Sequence, residues 1–114
     1  MNAALMRLQM RLALLLLLAL SSAHAQSAAP GVPVRGTLLS KNTGAPVPGL
    51  MASLIHPVLG RSAPSYSDRE GHFGWLAIPA RREAYYLEVY WGSKLLYRQP
   101  VQITAPVTLA PLRL

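Results

Sequence analysis

The chain contains no cysteine, so no disulfide can brace it and no thiolate can bind a metal. Acid is scarce too: Asp68, Glu70, Glu83 and Glu88 are the four carboxylates in 114 residues. Hydrolysis by paired carboxylates needs two of them facing one cleft. Asp68 and Glu70 share a turn that Asp68 is needed to hold, so this pattern argues against that chemistry. Long apolar runs are confined to Leu12–Leu20, which falls short of the ~20 residues that cross a bilayer as a helix. No later window repeats with the period of a helix. The core of such a chain must come from apolar packing and β-ladders alone.

The N-terminus has three parts. Arg7 and Arg11 form a basic start, Leu12–Leu20 is a continuous Leu/Ala run, and Ala23-His24-Ala25 puts small residues where a signal peptidase reads them. The pattern predicts a secretory signal peptide over residues 1–25, cut before Gln26. No cysteine follows the run, which excludes a lipoprotein. No second apolar segment follows that could hold the processed chain in a membrane. The expected location is the periplasm or the cell exterior. Removing 25 of 114 residues leaves 89, one small domain with a thin margin of stability.

With Arg7 and Arg11 removed, nine basic and four acidic residues remain, a balance of +5. That charge favours acidic proteins, lipid headgroups or lipopolysaccharide phosphates. Nucleic acid fits the charge but not the compartment.

Residues 26–33 are rich in Ala, Ser, Pro and Gly and are expected to form a disordered leader, with the domain spanning 34–114. Val34–Ser40 alternates as a strand, and Lys41-Asn42-Thr43-Gly44 is a turn. Pro46 and Pro48 restrict the next segment to an extended edge. Leu50–His56 is a strand apolar on both faces. Residues 57–65 form a long loop, followed by a short edge strand at Ser65–Ser67. Asp68-Arg69-Glu70-Gly71 is a tight turn in which the Asp side chain accepts backbone N–H groups and Gly supplies positive φ. His72–Ile78 and Ala84–Trp91 are strands, and Gly92-Ser93 is a two-residue hairpin connection. Lys94–Ile103 returns, with Pro100 marking an edge or bulge, and residues 106–114 close the domain. Seven short strands spaced by turns predict an all-β, antiparallel Greek-key-type β-sandwich.

Two blocks of residues carry a family likeness. Gly44-x-Pro46-Val47-x-Gly49-Leu50 is followed by Ser67-Asp68-x-x-Gly71-x-Phe73-x-Trp75, then by Ile78-Pro79 and a tyrosine-rich strand. In this order they resemble the carboxypeptidase regulatory-like domain, a transthyretin-like (prealbumin-like) β-sandwich, over residues 34 to about 103. Arg81-Arg82-Glu83-Ala84 departs from the pattern, where such domains place a Gly before the Tyr. The resemblance implies a non-catalytic accessory or binding module without a cofactor. It also makes Gly44, Pro46, Gly49, Asp68, Gly71, Phe73 and Trp75 structural. Hydroxyisourate hydrolases share this fold but end in Tyr-Arg-Gly-Ser, whereas residues 110–114 read Ala-Pro-Leu-Arg-Leu.

Catalytic and metal-binding patterns are weak. His56, His72 and the Asp68 turn supply ligand types without a His-x-His or Cys framework. Ser65 or Ser67 with His72 and Asp68 makes a triad by inventory alone, with no nucleophile elbow. The expected interaction surface is the hairpin: Tyr86 and Tyr90 share a face with Glu88 between them, Tyr97 is expected across the hairpin, and Arg81 and Arg82 supply a basic rim. Another envelope protein is the expected partner, with a glycan or peptide stacking on the aromatics as the alternative.

Overall fold

The computed structural model describes residues 31–114, so the signal peptide, its cleavage point and residues 26–30 of the leader lie outside the described residues. The chain is all-β. Its strands are β1 (Gly31–Leu39), β2 (Met51–His56), β3 (Gly60–Arg61), β4 (Ser65–Tyr66), β5 (His72–Pro79), β6 (Tyr85–Trp91), β7 (Lys94–Val101), β8 (Val107–Thr108) and β9 (Leu112–Arg113). Where seven strands were expected, the described residues form nine, because the long loop after β2 carries the two-residue β3 and the closing segment splits into β8 and β9. Strand β1 begins at Gly31, so residues 31–33 of the expected leader are part of the sheet. Pro33 is accommodated there because the β1–β5 register slips between Val32 and Val34, where no ladder N–H is needed.

Two sheets form. In the first, β1 is central: β5 runs antiparallel on one side, and β8 and β9 run parallel to it in succession on the other. The second has the order β3-β2-β6-β7, with β4 also paired to β2. Their apolar faces share one core. Val34, Leu38, Phe73 and Ile78 come from the first sheet, and Ala52, Leu54, Tyr85, Leu87 and Val89 from the second. Leu38, Leu54 and Leu87 are fully buried, and each such side chain stabilises the fold by ~1.5–3 kcal/mol.

The corner before β5 is held by one side chain. Asp68 Oδ1 accepts the N–H groups of Glu70 (3.0 Å) and His72 (2.9 Å), and Gly71 sits at φ 77°. Gly71 is buried against the Leu38 carbonyl, where a Cβ would collide. Ser67 fastens the proline-rich segment to the second sheet: its hydroxyl donates to the Val47 carbonyl (2.8 Å) and accepts from Leu50 N–H (2.9 Å). Gly36 and Phe73 are direct cross-strand partners, and the Phe73 ring occupies the space a Gly36 Cβ would need. Trp75 meets Phe73 edge-on, with ring centroids 5.8 Å apart.

This contact gives a double-mutant prediction. Gly36→Ala alone should cost ~1–3 kcal/mol through overlap with the ring. In a Phe73→Leu background the same change should cost markedly less, as measured by urea unfolding of the four proteins. Additive costs would show that the ring does not rest on Gly36.

Candidate interaction surface

The outer face of β6 carries Tyr86, Glu88 and Tyr90, as period-two alternation requires. Glu88 is the hub. It is 7% exposed, accepts a hydrogen bond from Arg61 Nη2 (3.1 Å) and from the Tyr90 hydroxyl (2.8 Å), and lies 3.4 Å from Arg98 Nε. The Arg98 guanidinium also sits over the Tyr86 ring at 4.7 Å. Burial disfavours the charged carboxylate of Glu88. The hydrogen bonds from Tyr90 and Arg61, with the charges of Arg61 and Arg98, outweigh that and hold its carboxyl below the ordinary glutamate value. Tyr86 and Tyr90 are thus engaged within the sheet's own polar network.

The other expected members of this surface lie elsewhere. Tyr97 pairs with Val89 and packs against the core, on the opposite face from Tyr86 and Tyr90. The cause is a bulge. Leu95 pairs with Tyr90 and Tyr97 with Val89, which leaves Leu96 unpaired and inverts the facing of every later residue. Arg81 and Arg82 are exposed in the β5–β6 loop, at the opposite end of β6 from the hairpin tip, ~20 Å away by strand rise. Their backbone closes that end: Arg81 N–H donates to the Ile103 carbonyl (3.0 Å), and the Arg82 carbonyl accepts from Gln102 Nε2. Tyr85 points inward there, and burial raises its phenol above the ordinary tyrosine value. Glu83 adds to the rise and Arg81 opposes it.

Exposed apolar side chains are spread over the described domain, with Val58, Tyr66 and Leu76 on other elements and three at the tip of the β6–β7 hairpin. Trp91 is 62% exposed, Leu95 45% and Leu96 38%. An open groove of about 450 Å³ runs beside Trp91 and Leu96, lined also by Val47, Leu50, Lys94 and Leu114, while Leu95, paired with Tyr90, lies on the outer face. Trp91 follows Leu87 and Val89 on the inward-facing register of β6, yet no strand of the facing sheet covers it. The groove is therefore the unfilled end of the space between the sheets. Strand β7, beside it, pairs only with β6 among the described residues. Lys94, the Leu96 bulge, Arg98 and Pro100 all fall on that edge and blunt it against addition of another strand. Nothing in the sequence marks Trp91 as exposed, because its exposure depends on where the facing strands end.

The remaining chemistry is structural. His56 is buried at the end of β2, and its Nδ1 accepts the N–H groups of Val58 and Leu59, both at 3.1 Å. That fixes the proton on Nε2, which makes no hydrogen bond and lies 3.7 Å from Glu83 Oε2. A histidine so held can act neither as a base nor as a metal ligand without losing the loop it caps. His56 and His72 belong to different sheets and do not converge. Asp68, Glu70 and His72 bring ligand atoms within 4.8 Å of one another, all exposed, with one Asp68 oxygen already committed to the turn. Ser67 and Ser65 spend their hydroxyls on backbone groups, Ser65 by accepting Gly74 N–H (2.9 Å).

The Glu88 hub predicts an acid sensitivity. A carboxyl whose folded pKa lies below its unfolded one stabilises the fold above the unfolded value, ~4.3, and loses that contribution as pH falls through the folded value. Urea midpoints at pH 7 and pH 3 should therefore fall further for the native chain than for Glu88→Gln. Equal falls would remove Glu88 from the acid response. Compared with known proteins, the chain matches no family model and no curated sequence.

Proposed function

We propose that this chain is an exported, non-catalytic accessory module of the carboxypeptidase regulatory-like type, a two-sheet β-sandwich that docks to another envelope protein through the end of its β6–β7 hairpin. The signal pattern over residues 1–25 supports export. The Asp68–Gly71–Phe73 and Gly44–Pro46–Gly49 blocks, with two sheets meeting over one core, support the sandwich type. The observation that carries the docking role is the apolar groove walled by the exposed Trp91 and Leu96. A small domain leaves such a patch uncovered at a cost in solubility unless something binds it. Glycan stacking on Tyr86 and Tyr90 has less support, because Arg98 already covers the Tyr86 ring and Glu88 holds the Tyr90 hydroxyl.

Two measurements test this reading. N-terminal sequencing of the tagged chain from the native envelope should begin at Gln26, and a full-length cytoplasmic product would defeat export. A photo-crosslinking residue at Ser93 should give a discrete adduct with an envelope protein, lost in Trp91→Ala and absent with the crosslinker at Thr104. Identical adducts from both positions would defeat docking by the tip.

A further inference from the structure

We infer that His56 is a pH-operated latch on the turn between β2 and β3, whatever the hairpin tip binds. The neutral ring holds the turn, and protonation releases it and draws the ring towards Glu83.

The latch is one buried side chain at the end of β2, 2% exposed. Its Nδ1 accepts the N–H groups of Val58 and Leu59, both at 3.1 Å. A neutral imidazole can do this because one of its nitrogens keeps a lone pair, whereas an imidazolium has two donors and no acceptor. A proton on Nδ1 would face two N–H groups at hydrogen-bond distance. Both bonds would then be lost, and the buried ring leaves no room for water to replace them. An imidazole changes its charge between about pH 5 and pH 8, so ordinary acidification can drive the exchange.

The other nitrogen offers the alternative partner. Nε2 is buried without a hydrogen bond and lies 3.7 Å from Glu83 Oε2. That distance is too long for a hydrogen bond, yet short enough for a charged ring to attract the carboxylate. Glu83 stands on the β5–β6 loop with its side chain half exposed, free to close the gap. The remaining titratable and charged groups around the ring do not compete for it. On β6, the Tyr85 ring lies 4.9 Å away, its hydroxyl donated to the Pro79 carbonyl and its phenol kept neutral by burial. On β3, Arg61 is bonded to Glu88. Arg81 is exposed on the same loop as Glu83, where solvent screens it.

The stretch that moves is bounded on its far side by Ser62. Its N–H donates to the Leu54 carbonyl (2.8 Å), and its hydroxyl accepts the Leu54 N–H (2.9 Å). Residues 57–61 lie between the two anchors. They include the exposed Val58 and Leu59, and Arg61 that reaches Glu88. Leu59, Gly60 and Arg61 also wall an open cavity of about 270 Å³ with Trp75, Ile78 and Tyr85. Releasing the turn therefore reshapes this cavity while the core, anchored elsewhere, stays in place.

The test is an NMR titration of the folded, nitrogen-15-labelled chain from pH 8 to pH 5. At the start the His56 ring should be neutral with its proton on Nε2. As it protonates, hydrogen-exchange protection at the Val58 and Leu59 amides should fall at least tenfold, while Leu87 and Val89 keep theirs. Protection factors are compared because intrinsic exchange itself changes with pH. Asparagine can offer those two amides an oxygen near the place of Nδ1 and does not titrate, so His56→Asn should hold their protection flat over the same range. Glu83→Gln removes the charge that favours the protonated ring and should move the loss to lower pH. Urea midpoints at pH 8 verify folding. If His56→Asn does not fold, the native chain and Glu83→Gln decide. A ring still neutral at pH 5, or turn protection that survives its protonation, would overturn the latch. So would a loss shared by the core amides, a loss that persists in His56→Asn, or a transition indifferent to Glu83.

Discussion

The ring of Phe73 resting on the bare backbone of Gly36 is the contact on which the two sheets depend. Phe73 is the chain's single phenylalanine, and it stands on β5, the strand that the Asp68 turn delivers. Its partner on β1 has no side chain, so the ring turns over the strand and fills the inner space, where Trp75 meets it edge-on. An edge-to-face pair of this kind adds ~0.5–1.5 kcal/mol beyond the area it buries. Three local features cooperate. Asp68 fixes the corner, Gly71 lets it pass under the Leu38 carbonyl, and Gly36 leaves room for the ring. In a chain without disulfides, the loss of any one propagates to the core.

Much of this was legible from residue types. Asx-turn chemistry, a glycine at positive φ and strict alternation are local properties, so Asp68, Gly71 and the Tyr86–Glu88–Tyr90 face could be read directly. Facing beyond the hairpin could not. Tyr97 lands inside because one residue, Leu96, drops out of the ladder, and nothing in the string Lys94-Leu95-Leu96-Tyr97 marks which leucine that is. The loop after β2 was equally opaque: its short strand β3 exists because the His56 imidazole accepts two backbone amides, an interaction that requires knowing that His56 is buried. Trp91 has the same composition and period as the buried residues before it. Its exposure is set by the length of strands far away in sequence.

The two ends of β6 have divided roles. At Tyr85 the strand is sealed by the Arg81 N–H on the Ile103 carbonyl, by the Gln102 side-chain amide on the Arg82 carbonyl and by the Tyr85 hydroxyl on the Pro79 carbonyl. At Trp91 it is left open. Between them Glu88 gathers two arginines and a tyrosine on the outer face.

The blunted border of β7 has a further meaning for a small domain without disulfides. Small unbraced β-domains at high local concentration join border to border into fibres when a straight unpaired strand is on offer. Here a lysine, a kink, an arginine and an imino acid interrupt that border along its length. An exposed apolar groove at the tip therefore coexists with a border that resists joining to another copy.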